Sequence, residues 1–116
     1  MVINMNFHDK IHELVKSFKE TSEYMEFIQL KQNLVKDEKK YAMLKDFKEK
    51  QKLHQIEYIN TSKINEDSQK ELQNLYSILI QNEEVRRLLE CEMRLDILLA
   101  DMQKIVAEGI NEIVEF

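Results

Sequence analysis

Residues 82–99 read NEEVRRLLECEMRLDILL, and this stretch decides the fold. Val85, Leu88, Leu95 and Leu99 recur at helical spacing, the mark of one apolar helix face. Asn82 can cap the helix, and Glu83 and Glu84 follow in the first turn, where the helix dipole favours anions. Cys91 and Glu92 lie on or beside the same stripe, so packing or chemistry must account for them.

Followed through residues 82–115, the stripe is Val85, Leu88, Glu92, Leu95, Leu99, Met102, Val106 and Ile113, with Leu98, Ile105 and Ile110 alongside. Its alternating steps of three and four resemble an a/d seam. A helix of about 34 residues makes a rod of roughly 50 Å. A compact domain of this size is only ~35 Å across. Such a rod projects from its domain or lies against another chain, and shared apolar stripes are commonly buried by twofold pairing. The expectation is a homodimer, or a heterodimer with a related chain. Its interface would hold Val85, Leu88, Glu92, Leu95, Leu99, Met102 and Val106. The rival, an isolated helical hairpin, leaves much of the stripe wet.

The rest of the chain is also helical in pattern. With no Pro and only Gly109, it lacks the residues that strands and tight turns use. The 116 residues are read as a single all-α domain of about five helices, a hairpin or bundle with a long C-terminal helix used for dimerisation. A first helix over about 6–19 places Phe7, Ile11, Leu14, Val15 and Phe18 on one face for burial. Ser22 is the expected N-cap of a second, which buries Tyr24, Phe27, Ile28, Leu34 and Val35 and fades near Lys36 and Asp37. A third, over about 38–59, sets Tyr41, Leu44, Phe47 and His54 on one side, with Met43, Leu53 and Ile56 widening the apolar sector. NTSKINEDS, residues 60–68, reads as a polar linker. A fourth helix carries Leu72, Leu75, Tyr76, Ile78 and Leu79.

Bulk properties narrow the function classes. No apolar run is long enough to span a membrane, and MVINMNFHDK lacks the basic and apolar regions of a secretion signal. The single Cys fits a reducing compartment, so a cytoplasmic location is expected. The net charge of −5 argues against general nucleic-acid binding. Lysines nevertheless crowd the middle, and Lys39, Lys40, Lys45, Lys48 and Lys52 form a candidate docking surface for an acidic partner or RNA. That segment has no Arg, which RNA readers usually interleave with stacking aromatics.

Catalytic patterns are not met. His8 and His12 stand four residues apart, but two ligands fall short of a zinc site. Carboxylate-bridged di-iron bundles need paired Glu-x-x-His motifs. The residues three before His8, His12 and His54 are Met5, Asp9 and Gln51. Cys91 beside Leu88 and Leu95 reads as a small hydrophobe. A single glycine excludes a phosphate-binding loop. Glu92 on an apolar seam needs a partner, for which Arg86, Arg87 and Arg94 are available, and a polar seam residue can fix register.

The order of elements, with SEYMEFIQLKQNLVKDEKKYAMLKDFKEKQ before the linker and NEEVRRLLECEMRLDILLADMQKIVAEGI after it, resembles the YlbF/YmcA family of small bacterial helical proteins. The phrases that carry it are Glu23 with Tyr24, Leu44 with Phe47, and Glu92 with Leu95, Leu98 and Leu99. The resemblance implies a dimer-forming, non-enzymatic regulator linked to competence, biofilm formation and sporulation. It further implies membership in a complex that adjusts RNase Y and so mRNA processing. Some such complexes carry iron–sulfur clusters on cysteines. Here Cys91 is the only one, so a cluster would need ligands from partners, and no cofactor is expected for this chain. Two alternatives stay open, an RNA-binding helical protein using the central lysines and a redox or metal sensor using Cys91.

Overall fold

A computed structural model describes residues 5–111. Five helices follow in order, α1 (Met5–Lys19), α2 (Ser22–Val35), α3 (Glu38–Thr61), α4 (Glu66–Leu79) and α5 (Glu83–Gly109), with no strand among the described residues. The fold is all-α.

The helix ends follow their capping chemistry. Thr21, rather than Ser22, caps α2, because its Oγ1 accepts from the Tyr24 N–H at 3.2 Å and Ser22 is already in the first turn. Asp37 caps α3 through the Lys40 N–H, Asn65 caps α4 through the Ser68 N–H, and Asn82 caps α5 through the Val85 N–H. The expected linker over residues 60–68 contracts to the stretch between Thr61 and Glu66. Its cap-forming side chains end one helix and start the next. Ser62 closes α3 in the left-handed region, at φ 57°, with its N–H donating to the Tyr58 carbonyl.

α5 is a long C-terminal helix as expected, with 27 residues and a length of about 40 Å, and the expected extension from residue 112 lies outside the described residues. Ile113, expected on its stripe, lies outside the described residues.

The chain divides into two compact units. One runs from Leu30 to Leu89 and holds the end of α2, all of α3 and α4, and the start of α5. Its core is Leu30, Leu34, Leu44, Phe47, Leu79, Val85 and Leu88, all buried. α3 and α4 form an antiparallel hairpin. The Phe47 and Tyr76 rings lie 6.0 Å apart, Lys50 bridges to Glu71 at 2.7 Å, and His54 Nδ1 bonds the Ser68 hydroxyl. Lys50 also reaches Asp46 at 3.2 Å. Its bonds to Glu71 and then Asp46 raise its pKa.

The other unit holds the chain up to Gln29 and from Glu90 onward. Its buried side chains are Cys91 and Leu95. Phe18 and Tyr24 meet edge to face at 5.7 Å across the turn between α1 and α2. α1 departs from expectation, since none of its residues is buried and Phe7, Ile11, Leu14 and Val15 are all exposed. The helical period was correctly read, but no described element covers that face. In α2, Leu34 is buried as expected, Tyr24, Phe27 and Ile28 are half-buried, and Val35 is exposed.

Candidate functional site

Two surfaces answer to the residues singled out from the sequence. The first is α5. Val85, Leu88 and Leu95 are 1%, 3% and 7% exposed, so the chain's own core already covers them. They cannot also form a seam with another chain, and the expected interface loses those three members. A heptad pattern does not distinguish a stripe facing the same chain from one facing another. Glu92 is half-buried and is not left unpaired. Met102 is half-buried, and Leu99 and Val106 remain exposed. Ile105 alongside them is 61% exposed, and Ile97, on the opposite side of the helix, is 63% exposed. Apart from exposed Met93, the exposed apolar surface of α5 lies in its distal half.

Cys91 is fully buried. Removal from water raises its thiol pKa, while the Arg94 guanidinium, donating to Sγ at 3.6 Å, opposes the shift and nearby Glu26 adds to it. A neutral, enclosed thiol is a packing group. These surroundings do not fit an iron–sulfur cluster. The thiol is enclosed, its polar neighbours are Arg94 and Glu26 rather than further thiols, and the chain has no second cysteine. His8 and His12 are exposed on α1. Among the described residues no three His, Cys, Asp or Glu side chains converge to hold a metal ion.

The second surface is α3. The five lysines expected to act together do not share one face. Lys45, Lys48 and Lys52 follow at steps of three and four and line one side of the helix. Lys39 and Lys40 fall on other sides, and Lys40 bridges to Asp37 at 3.4 Å. Lys45 stands 5.2 Å from the Tyr41 ring centroid, a cation–π contact. Lys48 is half-buried and engaged, while Lys52 is exposed.

Sequence reasoning missed an apolar cleft at the α3–α4 turn. His54, Gln55, Tyr58, Ile59 and Ile64 line about 410 Å³ there. Its sequence signal was Ile64, an aliphatic residue inside an otherwise polar linker. No described helix is long and apolar enough to cross a membrane.

Among the described residues the chain is helical, with apolar surface left exposed on α1 and α5. The chain belongs to the family described as control of competence regulator ComK, YlbF/YmcA, which matches residues 7–111. It is 34% identical over 110 residues to a UPF0342 protein of Desulfitobacterium hafniense, covering 95% of this chain and 89% of that one. A UPF0342 protein of Clostridium tetani is 33% identical over 112 residues, 97% of each chain. A third, from Caldicellulosiruptor saccharolyticus, is 34% identical over 106 residues, 91% of this chain and 88% of its own. No solved structure matches the chain. Family membership makes this a bacterial regulatory protein of the competence-associated type.

Proposed function

We propose that the protein is a cytoplasmic regulatory adaptor with no reaction of its own. It pairs with a second copy or a family relative through α1 and the distal half of α5. As the family resemblance implies, it serves a complex that modulates RNase Y-dependent mRNA processing. One observation carries the reading. In the unit built from α1, the start of α2 and the distal part of α5, two helices each keep an apolar face that no described element covers. Faces of this kind in a soluble protein mark contact surfaces.

The lost seam members Val85, Leu88 and Leu95 leave Glu92, Leu99, Met102 and Val106 as the part of the interface to test, extended by Ile105. The deciding experiment combines sedimentation of the purified chain with an affinity pull-down of the tagged chain from its own organism after nuclease treatment. A dimer mass with co-purifying family relatives or an RNA-processing enzyme supports the proposal. A chain that stays monomeric at high micromolar concentration and recovers only itself overturns it.

A further inference from the structure

The basic side of α3 and the cleft at its end form one continuous strip within the Leu30–Leu89 unit. Lys45, Lys48, Lys52, Gln55 and Ile59 succeed one another at steps of three, four, three and four, so a single helix side carries them all. Lysines occupy the first part. The second part opens into the cleft lined by His54, Gln55, Tyr58, Ile59 and Ile64. Ile59 is 75% exposed and stands with Tyr58 and Ile64, both also exposed, around the cleft, so the three make a local apolar patch. The cleft has a firm wall, because His54 is tied to Ser68 of α4 and the Ser62 cap fixes the turn.

The charged residues on the strip's own helix side are Lys45, Lys48 and Lys52, and acidic residues flank it. Asp46 is engaged by Lys50 on the α4 side, and Glu57 accepts from the Asn65 side chain. Glu49 flanks the strip from its own helix. Lys45 lies against an aromatic ring, and that contact holds its ammonium in place while leaving its donors available to a carboxylate.

We propose that this strip docks an acidic peptide segment of a partner protein that ends in an apolar anchor. Carboxylates meet Lys45 and Lys52, and the anchor side chain enters the cleft against Tyr58, Ile59 and Ile64. The proposal rests on the adaptor reading and names the chemistry of one partner contact. Lys45 to Lys52, and Lys52 to Ile59, each span seven residues of helix, or about 10.5 Å. A peptide in the polyproline II conformation covers about 9 Å in three residues and returns every third side chain to the same side. The matching ligand therefore has acids three residues apart and a large apolar residue three further on. Its anchor suits the cleft, whose volume lies at the small end of the ~300–1,000 Å³ range of binding pockets.

The test is fluorescence anisotropy with the full chain at low ionic strength. The probe is a labelled heptapeptide with glutamate at its first and fourth positions, phenylalanine at its seventh and serine elsewhere. Binding should weaken with added salt. Lys52→Glu and Ile59→Ser should each weaken it by about tenfold or more, the scale of losing one anchoring contact. Both positions are exposed, so the variants keep the fold, which circular dichroism checks. Absence of binding at millimolar chain overturns the proposal. So does indifference to Ile59→Ser, or equal affinity for the peptide with lysines in place of glutamates. Binding of an oligouridine in place of the peptide assigns the lysines to RNA and also overturns it. Self-association abolished by Ile59→Ser assigns the cleft to a second copy, with the same consequence. The adaptor reading is judged separately. If wild type and Ile59→Ser recover the same full set of proteins in the pull-down, non-relatives included, adaptor function stands and this docking site falls.

Discussion

Replacing Ile105 by serine separates the two faces of α5. Full burial of an isoleucine side chain contributes about 1.5–3 kcal/mol relative to exposure. Because Ile105 is 61% exposed in the isolated chain, about 1–2 kcal/mol of that remains to be gained on pairing. Twofold symmetry presents the side chain twice, so Ile105→Ser should cost the dimer about 2–4 kcal/mol, a rise of about 30- to 700-fold in dissociation constant. The folded monomer should change by no more than about 0.5 kcal/mol, or about 2 °C in Tm. Leu95→Ala supplies the contrast. At 7% exposure its loss falls on the chain itself and should lower stability by about 2–5 kcal/mol. Sedimentation equilibrium over a dilution series reads the first quantity, and thermal denaturation at concentrations below dissociation reads the second. An Ile105→Ser chain with the wild-type dissociation constant would falsify the distal-α5 interface. A Leu95→Ala chain that dissociates yet melts normally would return the interface to the inner stripe.

Leu34, 1% exposed, should cost about 2–5 kcal/mol as alanine, lowering Tm by about 8–20 °C for a chain of this length, as calorimetry can measure. Cys91 should resist a disulfide reagent in the native protein and react at the rate of global unfolding, since burial disfavours its thiolate. Prompt stoichiometric labelling in the absence of denaturant would contradict that picture. Asp37→Ala should reduce thermal stability at neutral pH. The Lys40 backbone N–H, foremost among several bonds, holds the Asp37 carboxyl below its ordinary pKa of 3.8. A lowered native pKa means the stabilisation is present above the unfolded value and is lost as pH falls through the native one. The difference between the variant and wild type should therefore shrink on acidification from that value downward, and a gap constant across that window would exclude the ionised cap.

Local signals in the sequence were sufficient for the helices, while the α2 cap and the linker limits shifted by one to a few residues. The missing Pro, the lone Gly109 and the three–four spacing of Leu44, Phe47, Leu72 and Leu79 give an all-α chain in which each helix is in place. Burial was less legible, because periodicity defines a face without naming what covers it. Leu88 and Ile11 occupy equivalent positions in their patterns, yet one is in the core and the other faces solvent. The same ambiguity led Val85, Leu88 and Leu95 to be read as an intermolecular seam. Cys91 was legible as packing, since a small thiol among leucines has few alternatives. The lysines looked like one patch because a run of charge along a sequence conceals rotation around the helix, and only Lys45, Lys48 and Lys52 share a side. The cleft at the turn depends on Ile64 lying near Tyr58 and Ile59, a proximity created by the left-handed Ser62.

α1 has a consequence for the life of the protein in a cell. A 15-residue helix is marginal by itself in water, and this one contributes no buried side chain to the core. Its opening costs little of the global folding free energy, so its backbone is accessible to proteases while the remaining helices stay folded. Occupation of its apolar face would close that route. On the pairing proposed above, an unpartnered copy is therefore the form most open to degradation.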